Sequence, residues 1–569
     1  KLGQKWTHYN AIKAMATQDE LWQGDNWPYI VAAVVAVPEV VKLLASLLQR
    51  SRIGSPVPEE LAGIYDQEEN ETSLSYTLAK STFGLWHTLV KMVIFFGFWL
   101  LGGFPAIDHF CLQLHLSEIL TGVVYILLLM ALDQVIDIPW DIYHTFVLEE
   151  KFGFNKTTAA TFIRDRVKAA VLGVILGAPV LAVVLWFLSS FGTGAWLWVF
   201  IFISSVQVIL LFLMPVLILP LFMEMIPLPD GQAIITEEAG EDGKALPPFL
   251  SGRVFYAASA GTYATRDRRF PGATVGDQLE MVQRDGSWVI AACTDSEPAS
   301  AAIHAKSGFE GQLNAGARLT FKLSEEIKQL AKEGQASADP LVPRGPADSV
   351  TAVCVDAGLL RSSLLKLANQ LGYYGANIYV IDGSARSSHS NAFCTGFGRF
   401  RRICLFDTLL PLMSEGEILA VLGHEIGHDR LYHVHTMLVM SLAYFFVMMY
   451  ALGHFLASPA LSAAFFTEPK VYLSVVFFTI IWEPVDFPMS VLTKIFSRFN
   501  EYQADRYSVA ANRQYGRFLG DALKKMMRKS KVNLTPHPFH VFLNNSHPPL
   551  DDRLKAIRDY HGKYYNERM

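Results

Sequence analysis

The sequence predicts a mainly α, polytopic membrane protein with seven transmembrane helices, a cytosolic α+β region and a small β module. Three observations carry the membrane part of that expectation. Hydrophobic residues make up 51% of the 569 and charged residues only 18%, at a mean hydropathy of +0.26, a balance outside the usual soluble range. Seven apolar stretches approach the roughly 20 residues that a crossing requires. Between the fifth and sixth, from Met225 to about Pro411, Gly, Pro, Ser and charged residues replace the apolar blocks and mark a water-soluble region. The formal charge of -5, from 48 Lys+Arg against 53 Asp+Glu, excludes a generally basic chain, so no nucleic-acid partner is expected.

The spans fall near 28–48, 86–107, 117–137, 167–189, 195–223, 434–456 and 471–496. Pro38 and Glu39 interrupt the first, leaving an interfacial helix as its alternative. Arg50 and Arg52 follow the first span, and Lys151, Lys156, Arg164 and Arg166 follow the third, whereas 108–116 and 190–194 carry neither Lys nor Arg. The positive-inside rule then places those basic links, the large soluble region and the C-terminus in the cytosol. Sequons at Asn70, Asn155, Asn533 and Asn544 lie on that side, so none is expected to be glycosylated. Cys111, Cys293, Cys354, Cys394 and Cys404 are scattered without a Cys-x-x-Cys spacing and read as buried thiols. The chain begins at Lys1 and reads as a fragment or trimmed record, so a missing signal peptide carries no information.

Five segments result: 1–226 with spans one to five, a β module with linkers at 227–357, a second water-soluble region at 358–433, spans six and seven at 434–496, and a helical C-terminal region at 497–569. The module contains alternating runs such as Arg253 to Tyr256 and Gln278 to Val282, then a hairpin signal at Arg284-Asp285-Gly286-Ser287. It is expected to be a small antiparallel β module. Leu341 to Pro346 reads as an exposed linker with a protease-sensitive Arg344.

The sharpest chemical signal is His424-Glu425-Ile426-Gly427-His428. Ser414 to Glu417 has the S-x-x-E form of a capping box, which puts the motif on a helix. Four residues apart, His424 and His428 project from one helix face and can hold one zinc, with Glu425 beside them to engage a water. With 16 His in the chain, chance would supply only about 0.02 such matches. A catalytic zinc needs a third ligand. On a continuing helix His433 points away from both histidines, and His433 and His435 read as a polar collar at the membrane surface. Glu501, with Asp505 four residues on, is a better candidate, the first to bind metal and the second to orient a histidine, although such a pair taken alone is usually a solvated helix face.

With those residues in place, the chain resembles the type 1 CAAX prenyl proteases, integral membrane zinc peptidases of the endoplasmic reticulum. The order His424 to His428, Glu501 to Asp505, then Ser546-His547-Pro548-Pro549-Leu550 to Arg553 is theirs. Pro139 to Asn155 resembles their segment after the third span, and Ser387 to Phe393 with Leu405 to Leu410 resembles their substrate-strand region. The resemblance implies one Zn2+ on His424, His428 and Glu501, Glu425 as general base, and Asp505 behind a ligand. It further implies His547 and Arg553 near the reacting bond, and Asn391 and Ala392 on the edge strand to which an extended peptide adds. It also implies the water-filled chamber, toward which Asp133, Asp137, Glu483 and Asp486 would face, since lipid exposure is too costly.

The implied reaction removes the last three residues from a prenylated protein ending in Cys-a-a-X, at a site next to membrane lipid and facing the cytosol. Two alternatives stay open. A quality-control protease of the heat-shock type shares the zinc residues but not Pro139 to Asn155, and a noncatalytic scaffold would act through the inserted module and an unknown partner. That insert departs from the family pattern and is similar to a Src-homology-type small barrel through Val275-Gly276-Asp277 and Trp288-Val289.

Overall fold

The computed structural model describes residues 27–228, 357–396, 400–456 and 458–565, and between them the backbone of seven strands in 232–356. The hairpin turn at Asp285-Gly286, Val275 to Asp277 and the Leu341 to Pro346 linker lie outside the described residues. Contacts divide the chain into two units. One comprises Lys1–Leu211, Tyr432–Glu501 and Lys531–Asp552, and the other Phe212–Leu431, Tyr502–Ser530 and Arg553–Met569.

The first unit holds most of the membrane helices. Helices long and apolar enough to cross run over Pro28–Ser51, Gln67–Leu100, Glu118–Glu149, Ala159–Ser190, Ala195–Phe222 and His433–Phe455. A seventh crossing is reached if Val471–Ile481 and Glu483–Ala511, bent by 53° at their junction, count as one span. Pro38 is accommodated inside the first helix. The expected continuous second span over 86–107 is corrected: its helix ends at Leu100, and Gly102, at φ 79°, turns the chain into a separate helix over Gly103–Gln113. That span also begins earlier than expected, capped by Asp66 and Glu69 in a reciprocal box.

The acids expected inside the bundle all pair with side chains of other helices. Lys91 Nζ donates to Asp133 Oδ1 at 2.9 Å and Asp137 Oδ2 at 3.0 Å, and His87 Nε2 stands 3.1 Å from Asp137 Oδ1. Tyr444 donates to Asp486, and Lys42 Nζ lies 3.4 Å from Glu483 Oε1. Pairing of this kind is what makes such groups tolerable at membrane depth. The third span ends in a π-helical turn over His144–Glu149, where the wider turn presents Glu149 to the Tyr76 hydroxyl at 2.7 Å. Phe152 and Phe154 each pack on the Tyr76 ring at 4.9 Å.

The second unit is built on a four-stranded sheet of order β1-β9-β11-β10. β1 (Met225–Pro227) and β9 (Asn377–Ile381) pair antiparallel, β9 and β11 (Arg402–Phe406) parallel, and β11 and β10 (Ala392–Thr395) antiparallel. Alternate residues Ile378 and Val380 of β9, with Ile403 and Leu405 of β11, face a core shared with the helices Ala357–Gln370 and Glu415–Arg430. β1 precedes the insert and β9 follows it, so the inserted module interrupts a single sheet.

The seven inserted strands are β2 (Gln232–Thr236), β3 (Val254–Ser259), β4 (Thr262–Ala264), β5 (Gln278–Arg284), β6 (Ser287–Thr294), β7 (Arg318–Leu323) and β8 (Ser349–Asp356), and they close into a barrel. Arg284 pairs with Ser287, as a two-residue Asp-Gly connection requires. The expected all-antiparallel pairing is corrected at β6 and β7, which run parallel. In sequence 23 residues, 295–317, separate the two strands, and a parallel pair needs a connection of about a dozen or more.

Candidate metal centre

The motif helix begins where its capping box predicts. Ser414 N donates to Glu417 Oε2 at 2.7 Å, and Lys525 Nζ, also 2.7 Å away, neutralises the buried Glu417 carboxylate. The helix ends at Arg430, and Tyr432, at φ 59°, breaks it before a new helix starts at His433. The expectation of one continuing helix is therefore corrected. Of the two histidines read as a polar collar at the membrane surface, His433 is instead buried at 5% exposure, while His435 is exposed.

His424 and His428 stand one turn apart, with their Nε2 atoms separated by 3.1 Å and their rings at 75°. What reaches them is the helix Glu483–Ala511, and glycines make the approach possible. A Cβ placed on Gly423 would lie 3.0 Å from Ser508 Oγ, and one on Gly427 would lie 3.2 Å from Ala504 Cα. Ser508 Oγ donates to Ala420 O at 2.6 Å across this crossing. Sequence reasoning missed these four residues, although small residues four apart on both helices, Gly423 with Gly427 and Ala504 with Ser508, are a readable signal of close packing.

The crossing sets Asp505 against the histidines. Asp505 is fully buried, and its Oδ1 lies 2.9 Å from His424 Nδ1. Arg553 grips the same carboxylate through Nη2 and Nε at 2.7 and 2.9 Å. Burial alone would raise the Asp505 pKa, but the Arg553 guanidinium and the His424 ring hold it well below the usual carboxylate range. Burial likewise works against a charged His424, and Asp505 outweighs it, leaving the imidazole pKa raised. With Nδ1 turned to Asp505, Nε2 of His424 faces His428.

Glu501 lies one turn before Asp505 on the same unbroken helix and is 5% exposed. His424, His428 and Glu501 each offer a ligand atom within 4.8 Å of the others. Two imidazole nitrogens and a carboxylate oxygen form a zinc-type donor set, and nitrogens bound tetrahedrally to one zinc stand about 3.3 Å apart. The observed 3.1 Å fits.

The remaining predicted residues fall around this centre. His547 Nε2 is 3.5 Å from Glu501 Oε1, with its side chain 64% exposed. Arg553 is buried and turned to Asp505. Ala392 opens β10, an edge of the sheet, and Asn391 just precedes it, accepting the Ala392 N–H on its own Oδ1 at 2.9 Å. Glu425 is half-buried. Burial pushes the pKa of the Cys394 thiol of β10 well up, and the charge of Glu425 adds to it.

A membrane-embedded bundle joined to a His-Glu-x-x-His helix with a helix-borne glutamate defines an integral-membrane metallopeptidase. Two family models match: the CAAX prenyl protease N-terminal region of five membrane helices over residues 47–224, and peptidase family M48 over 356–561. The chain belongs to peptidase family M48, in its CAAX prenyl protease branch. Neither model covers 225–355, where the barrel sits. Among curated relatives, the CAAX prenyl protease 1 homolog of Arabidopsis thaliana is 27% identical over 93% of this chain and 96% of its own length. CAAX prenyl protease 1 of Saccharomyces cerevisiae is 26% identical over 89% and 88%, and the Homo sapiens homolog 25% over 95% and 98%. The crystal structure of S. mikatae Ste24p shares the fold at a TM-score of 0.66 and 23% identity, covering 94% of this chain and 99% of that one.

Proposed function

We propose that this chain is a zinc-dependent membrane endopeptidase that removes the C-terminal aaX tripeptide from prenylated proteins ending in Cys-a-a-X, in the endoplasmic reticulum membrane with its zinc residues toward the cytosol. The observation that carries the reading is the convergence of His424, His428 and Glu501, with Asp505 and Arg553 locking His424 from behind. Zinc held there supplies Lewis acidity toward a water and the scissile carbonyl. Glu425 takes the proton of that water as its oxygen attacks the carbonyl carbon, then passes it to the departing amine nitrogen as the C–N bond breaks. His547 donates to the carbonyl oxygen as negative charge develops. Arg553, turned to Asp505, acts through His424 rather than on substrate. The peptide extends along β10 beside Asn391 and Ala392, adding a strand to that edge. The barrel at 232–356 stands outside this machinery and offers a surface for a further partner.

The test is the product of a farnesylated Cys-a-a-X peptide and the zinc content of the chain. One zinc per chain, release of the aaX tripeptide, and a loss of about 10²–10⁴-fold in Glu425→Gln with zinc retained are expected. A variant within about tenfold of the unaltered chain contradicts the assignment of the base.

A further inference from the structure

The exposed side chain of His547 gains little of its placement from packing, so something must hold the backbone that carries it. That backbone follows a short helix over Pro538–Asn544. The last carbonyls of any helix lack partners within it and form the negative end of its dipole. Here two cations from the helix Glu483–Ala511 reach that end and the residue after it. Lys494 Nζ donates to Leu543 O at 2.8 Å, and Arg498 Nη1 donates to Asn545 O, just past the helix, at 2.5 Å and to Val541 O, which also accepts the Asn545 N–H, at 3.2 Å. Asn545 is two residues before His547, and Ser546 Oγ lies 3.0 Å from His547 Nδ1.

The spacing gives this arrangement a purpose. Lys494, Arg498 and Glu501 follow one another at four and three residues, so they lie along one stripe of a single helix. The stripe that presents the glutamate therefore also grips the loop that presents the histidine, 3.5 Å from that glutamate. The far end of the short helix is tied as well, His537 N donating to Gln49 Oε1 at 2.8 Å. We infer that Arg498, assisted by Lys494, is a positioning residue for the reaction: it caps the helix Pro538–Asn544 from outside and so fixes His547 relative to Glu501. The inference rests on the proposed role of His547.

The test is a double-mutant cycle on the full-length chain, with hydrolysis of a farnesylated Cys-a-a-X peptide and zinc content as readouts. Arg498→Ala is expected to lower kcat by about 10- to 100-fold, the scale of a misplacement near 1 Å, with KM within about threefold and zinc unchanged. Arg498→Lys, which keeps one donor for a carbonyl, should recover most of the rate, and Lys494→Met should show a smaller loss of the same kind. In His547→Ala, adding Arg498→Ala should change kcat by less than about twofold, because the group it positions is gone. An undiminished loss in that background, or loss of zinc in Arg498→Ala and Arg498→Lys alike, overturns the inference while leaving the peptidase reading intact. Full activity of His547→Ala removes the role of His547 itself, and the inference with it.

Discussion

Arg553 holds Asp505 with both ends of its guanidinium fork, at 2.7 and 2.9 Å, while Asp505 stands 2.9 Å from His424 Nδ1. All three are buried, so removing the guanidinium leaves a charge uncompensated in the interior, which costs about 3–5 kcal/mol. Arg553→Met is expected to lower stability on that scale and to weaken zinc about 10- to 100-fold, as loss of support behind a ligand does. Competition with a chelator measures the affinity. Unchanged zinc binding with lost activity would instead make Arg553 a substrate contact.

Gly427 tests the crossing that brings those groups together. A side chain there meets Ala504 Cα and Tyr507 Cβ at 3.2 and 3.1 Å, and little beside it can give way. Gly427→Leu is expected to part the two helices, lowering stability by about 1–3 kcal/mol and zinc content with it. Gly562, with nothing within 4 Å of its added Cβ, is the control position. Full zinc in Gly427→Leu would show that the close approach is dispensable.

Asp407 makes stability depend on pH. Burial raises its pKa to about 6, against the hydrogen bonds it accepts from Ser384 and Thr408. A carboxyl raised in the folded state favours folding most below its unfolded pKa, and this contribution fades as pH climbs through the folded value. The difference amounts to about 3 kcal/mol at most. The melting temperature of the chain should therefore fall between pH 4 and 6 by a component that Asp407→Asn lacks. Equal slopes for both proteins would contradict the assignment.

The barrel should be separable from the zinc site. Gln232 at its entry pairs with Asp356 at its exit, so the two ends are neighbours on adjacent strands. Replacing 232–356 with a short flexible linker is expected to leave zinc content intact and hydrolysis within about tenfold, an acid–base contribution being at least that large. Loss of zinc would make the barrel part of the catalytic fold.

How much of this was readable followed the range of the interactions. The His424-Glu425-x-x-His428 helix and its Ser414–Glu417 cap depend on residues within a turn of one another, and spacing alone predicts both. The end of the second span at Leu100 hinges on a left-handed Gly102 amid an unbroken apolar run, which hydropathy does not register. Glu501 and Asp505 have helical spacing, but a carboxylate pair four apart is also an ordinary solvated face, and resemblance was needed to select them. The grip of Arg553 on Asp505 joins residues 48 apart, and nothing local announces it. The parallel pairing of β6 and β7 depends on a connection without pattern.

A site that serves a lipidated peptide at a membrane should tell a farnesylated Cys-a-a-X peptide from its unmodified twin by kcat/KM, measured below their aggregation limits. Bound lipid contributes about 0.8 kcal/mol per buried CH₂ and acts remote from the reacting bond, so the account predicts faster cleavage of the farnesylated peptide, mainly through a lower KM, and loss of both activities with chelator. Equal kcat/KM for the two peptides would contradict it.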